Sequence, residues 1–80
     1  MIIQLIEGEF KSSDALDLIT QMIHIKIKFH ENKIGKSELE EDVKAREGKI
    51  RRLQKDLFEL RNTVGSSSKG VKLNAVINIG

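Results

Sequence analysis

The chain has 80 residues, a formal net charge of +2 and no cysteine, which removes disulfides, thiolate zinc sites and thiol chemistry together. Two surplus charges set up no long-range field for steering nucleic acid. With three Phe and no Trp or Tyr, there are also few rings on which exposed bases could stack. A single domain over residues 1–80 is expected, and a domain this short buries a smaller share of its unfolded surface than a large one does. Self-association is the leading remaining source of stability. The first ten residues carry Glu7 and Glu9 and no basic n-region, so no secretion signal is expected. The apolar runs fall far short of the roughly 18 residues of a membrane span. A cytoplasmic protein with no membrane contact is the expectation.

Ile2-Ile3-Gln4-Leu5-Ile6-Glu7 is rich in β-branched residues and is followed by Gly8, which predicts a strand over 2–7. Ser12 and Ser13 supply candidate caps and Asp14 a first-turn acid ahead of the apolar-periodic Ala15, Leu16, Leu18 and Ile19, predicting a helix over 13–32. Within it, residues 23–29 alternate as a strand would, and a β-α-β-α-β order is the competing reading. No Gly, Pro or Asn separates Leu18 from Phe29, and a helix-to-strand change normally needs a C-cap and a connection. Ile19, Ile23 and Ile27 also align at spacing four, so continuous helix is expected.

Residues 32–36 read as a turn in which Gly35 takes the left-handed conformation. Ser37 and Glu40 have capping-box spacing at the head of a second helix over 38–64. Its apolar residues Val43, Ile50, Leu53, Leu57, Leu60 and Val64 form the seam of a helix packed lengthwise on a partner. Gly48 interrupts it and predicts a kink or a close approach by another backbone. Residues 65–70 read as a flexible connector. Val71, Leu73, Ala75, Ile77 and Ile79 then alternate on one face of a strand over 71–79, antiparallel to the first. The expected fold is α+β: β-α-α-β, with a long antiparallel helical hairpin packed on a small antiparallel sheet and completed by dimerisation.

Chemistry is thinly represented. The connector 65–70 resembles a phosphate loop only in composition, because it follows a helix instead of opening one. His24 and His30 are six positions apart, roughly 120° of helix, and do not make a chelating pair; the ordinary role for His30 is capping the last carbonyls of the first helix. Glu38, Glu40, Glu41 and Asp42 sit where a helix dipole favours negative charge. No catalytic, cofactor-binding or metal-binding residue is expected, and the chain is read as a non-enzyme.

The basic run Lys44, Arg46, Lys49, Arg51, Arg52 and Lys55 is matched by acids four residues earlier at Glu40–Lys44, Asp42–Arg46 and Glu47–Arg51, the favourable order for exposed ion pairs. The expected function is therefore protein–protein interaction by a structural or regulatory module acting as a homodimer. Its candidate interface is Leu18, Met22, Ile25 and Phe29 on the first helix with Leu57 and Leu60 on the second. The alternative is weak, sequence-tolerant nucleic-acid binding through Lys49, Arg52 and Lys55.

Overall fold

A computed structural model describes residues 1–65 and 69–80. The element order is β1 (Ile2–Phe10), α1 (Ser12–Ile34), α2 (Glu40–Val64) and β2 (Val71–Asn78), an α+β arrangement in which two helices follow one another between the strands of a two-stranded antiparallel sheet. Of the connector expected over 65–70, residues 66–68 lie outside the described residues.

The ribbon is longer and less regular than the sequence pattern suggests. Gln4 pairs with Val76 and Ile6 with Ala75, so Leu5 is the extra residue of a β-bulge. The bulge lets Ile3 and Ile6, three apart, share the face that carries Ala75 and Ile77. Gln4 holds it: its Nε2 donates to the Ile6 carbonyl at 2.8 Å and to Asn74 Oδ1 at 2.7 Å. Gly8 does not end the strand, as expected, but sits within it opposite Leu73 at φ +135°, a conformation open to glycine and costly for other residues. Continued pairing as far as Phe10 with Val71 outweighs the local tendency to break.

Helix α1 runs unbroken through the alternating stretch 23–29. Its N-cap is Lys11, without a side-chain capping bond; Ser12 Oγ instead donates to the Lys69 carbonyl at 3.2 Å, tying the start of α1 to the approach to β2. Gly35 stays right-handed at φ −63°, contrary to expectation, because the chain leaves the helix through tight turns: Lys36 N–H to the Lys33 carbonyl and Ser37 N–H to that of Ile34, both at 3.2 Å. The expected capping box is not formed either. Ser37 Oγ accepts the Leu39 N–H at 3.3 Å, and α2 begins at Glu40 behind Leu39. Gly48 produces neither outcome expected of it. Helix α2 is continuous, and a Cβ built at Gly48 meets nothing within 4 Å.

The helices pack mainly on each other and the strands mainly on each other, with slight contact between α1 and the ribbon. The result is a slab of 46 × 33 × 13 Å, little more than one helix thick. Among the described residues, only Ala15 and Leu57 are buried apolar side chains and only His30 is a buried polar one. The radius of gyration is 15.1 Å, against about 12 Å for a compact chain of this length. The accessible surface is 6412 Å², about 1,500 Å² more than the roughly 4,900 Å² a folded monomer of 9.1 kDa presents.

Candidate interaction face and basic cavity

Helix α1 has two apolar faces. Ile19, Ile23, Ile27 and Ile34 are half-buried and His30 is buried. At 100° per residue, Leu18, Met22, Ile25 and Phe29 fall in a stripe about 60° wide, centred roughly 120° away from the first face. Their spacing of four, three and four is that of a knobs-into-holes seam, yet Leu18 and Met22 are each 36% exposed, Phe29 53% and Ile25 71%. The two candidates on α2 are placed differently: Leu57 is buried within the chain and Leu60 is half-buried, so both serve the hairpin. Phe58 was not anticipated. It is 66% exposed, and its departure from the α2 seam was the available signal. Beside the stripe lies an apolar groove of about 340 Å³ between Ile6, Leu73 and Ala75 on the sheet and Ile19, Met22 and Ile23 on α1, with Lys26 and Leu53 also in its lining.

The polar residues gather where the hairpin closes. Arg46 Nη1 donates to His30 Nδ1 at 3.0 Å, while Arg46 Nε contacts Asp42 Oδ2 at 3.4 Å. The same guanidinium lies 5.9 Å from the centre of the Phe29 ring, and Lys33 Nζ lies 5.7 Å from it. Phe29 in turn meets His30 edge-on, with 5.6 Å between ring centres. His30 therefore does not cap the carbonyls of α1; it faces Arg46 across the hairpin. Because arginine only donates, Nδ1 is the acceptor and the proton of the neutral ring is on Nε2. That Nε2 is buried without a hydrogen-bond partner among the described residues. Burial and the positive charges of Arg46, Lys49 and Lys26 hold the imidazole below its ordinary pKa. Asp42 is also held below its ordinary value, first by a hydrogen bond from Ser37 and then by Arg46 and Lys49, against an opposing desolvation.

One turn along α2 from Arg46, a second cavity of about 290 Å³ opens between the helices, lined by Lys26, His30, Lys49, Arg52, Leu53 and Asp56. It unites two of the candidate nucleic-acid contacts, Lys49 and Arg52, with Lys26 of α1. Lys55 is exposed and lies about 120° around α2 from Lys49, outside this lining. The part of Lys26 was missed in the sequence, although its spacing of four from His30 places both on one helix face. Of the three expected ion pairs, Glu40–Lys44 and Asp42–Arg46 are made at 3.4 Å each. Glu47–Arg51 is not made among the described residues.

His24 is exposed, and no three His, Asp or Glu side chains among the described residues group so as to hold a metal ion. No helix among the described residues is long and apolar enough to cross a membrane. Comparison with known proteins gives no match to a family model, to a curated protein or to a solved structure.

Proposed function

We propose that the chain is a non-enzymatic association module, structural or regulatory in role, whose first partner is a second copy of itself. The observation that carries this is the surplus of about 1,500 Å² of surface over a compact monomer of the same mass. Two copies each covering that surplus would bury about 3,000 Å² in total, within the range of obligate homodimers. The seam of Leu18, Met22, Ile25 and Phe29 suits a two-fold axis, since a stripe of one pitch on a helix can pack on its own copy.

Light scattering on a sizing column tests it. The expected mass is twice 9.1 kDa across the micromolar range. The variant Ile25→Glu should fall to the single-chain mass, because this side chain is 71% exposed within one chain and a carboxylate in the seam would be buried against the partner. A wild-type mass of one chain at every concentration would overturn the proposal.

A further inference from the structure

The two edges of the ribbon are not alike. Met1 and Ile79 exchange both backbone bonds, the Met1 amine donating to the Ile79 carbonyl and the Ile79 N–H to that of Met1, each at 2.7 Å. Backbone groups alternate in direction along an antiparallel strand, and the pairing of β2 runs on without an extra residue of its own. Ile79, Ile77, Ala75, Leu73 and Val71 therefore turn their N–H and C=O groups to β1, while Lys72, Asn74, Val76 and Asn78 turn theirs outward. Those four residues are exposed, and no backbone bond from another element reaches them among the described residues. The β1 edge is interrupted by the bulge at Leu5 and by Gly8 at φ +135°, and it carries Glu7 and Glu9; such irregularities and charges keep an edge from pairing. The β2 edge is regular, with Lys72 its one charge.

We propose that the β2 edge pairs antiparallel with the β2 edge of a second copy about a two-fold axis at Ala75, making one four-stranded sheet. The partner is that of the self-association reading, on which this pairing rests. The edge is complementary to itself in this register. With Ala75 opposite its own copy, Asn74 meets Val76 and Lys72 meets Asn78, each twice by symmetry, so all the outward groups are satisfied by about eight hydrogen bonds. On the apolar face, Leu73 meets Ile77 and Val71 meets Ile79 in the non-hydrogen-bonded sites, where facing side chains come closest. The small Ala75 takes the central site, with about 4.5 Å between the two Cα atoms. An axis at Asn74 or Val76 would leave Ile79 or Val71 without an apolar partner. The two copies of Lys72 stand about 20 Å apart, beyond the Debye length of about 8 Å at physiological salt. Met22 belongs to the exposed seam of α1 and also lines the groove that contains Ala75, so one axis serves the strand edge and the helix seam together.

The chain has no cysteine, so single cysteines report the register directly. Ala75→Cys, treated with oxidised glutathione at micromolar protein, should give a linked species of twice 9.1 kDa on a denaturing gel, because the paired Cα atoms lie within the span of a disulfide, about 4.4–6.8 Å. Lys72→Cys, about 20 Å from its copy, should link at least about tenfold more slowly. Val76→Pro removes an outward N–H, twice by symmetry, and an edge strand tolerates it; the dissociation constant should rise about thirtyfold. Glu9→Pro, outward on the β1 edge opposite Lys72, should leave it unchanged, with circular dichroism confirming that both variants fold. In the wild-type chain the amides of Lys72, Asn74, Val76 and Asn78 should exchange more slowly as protein concentration rises.

Should a proline variant fail to fold, cysteine linkage and wild-type amide exchange decide the matter without it. Linkage at Lys72 as fast as at Ala75, or outward amides that exchange freely in a species of twice the single-chain mass, would overturn the edge pairing and leave self-association to the helices alone. Equal weakening by Val76→Pro and Glu9→Pro would overturn it too. A wild-type mass of one chain at every concentration would overturn both readings together.

Discussion

Arg46 joins its neighbour Asp42, one turn before it on α2, to His30 and Phe29 on α1. Its charge is one reason His30 titrates low, after burial itself, and the pH dependence of stability follows from the sign of that shift. The folded imidazole has a lower pKa than the unfolded one, so the unfolded chain takes up the proton first as pH falls. The stabilisation is fully present above the ordinary imidazole value and is lost as pH drops from there through the folded pKa. Asp42 acts in the same direction at lower pH, its contribution disappearing as pH falls below the ordinary carboxylate range. Urea midpoints measured from neutral to acid pH should therefore decline in two windows. His30→Gln should flatten the upper window and Asp42→Asn the lower. The groups facing His30 that shape this profile are Lys26 on its own helix and Arg46, Lys49, Arg52 and Asp56 on α2.

Within elements, local preference and tertiary demand diverge in identifiable places. Residues 23–29 alternate like a strand, yet they continue α1 because nothing between Leu18 and Phe29 terminates a helix and the hairpin seam requires spacing of three and four. Ser12, Ser13 and Ser37 have capping chemistry, yet neither helix uses it: Ser12 bonds the Lys69 carbonyl and Ser37 the Leu39 amide. Gly48 sits mid-helix with open space where a Cβ would be. Gly48→Ala should accordingly stabilise the protein by about 1 kcal/mol through helix propensity alone, measurable by urea unfolding. A loss of stability instead would mean that another backbone approaches α2 at that point.

Across the molecule, the 13 Å thickness leaves most apolar side chains with solvent on one side. Ala15 and Leu57 alone are buried apolar residues among those described, which is a small core against the entropy of ordering 80 residues. If a second copy supplies the missing contacts, unfolding and dissociation are linked by mass action. The thermal midpoint is then expected to rise by about 3–5 °C for each tenfold increase in protein concentration. Scanning calorimetry at three concentrations checks this, and a midpoint independent of concentration would contradict the self-association reading.

The order β-α-α-β, the antiparallel pairing of β1 with β2 and the seam of α2 were legible from residues 1–80, because the period-3.6 seam of α2 and the apolar alternation of residues 71–79 are set by neighbours a few residues apart. The bulge at Leu5 was not, although the doubled apolar pairs Ile2-Ile3 and Leu5-Ile6 hinted that simple alternation fails there; the bulge exists only relative to a partner strand. Nor was the burial of His30. Spacing places it near the end of α1, but its loss of solvent and its bond to Arg46 depend on how the second helix folds back. The same holds for Lys26, Lys49 and Arg52, which are solvated charges along the chain and become walls of one cavity only when the hairpin closes. Local pattern is written in neighbours a few residues apart. Charge convergence and burial are properties of distance in space, and the fold sets those by bringing residue 30 against residue 46.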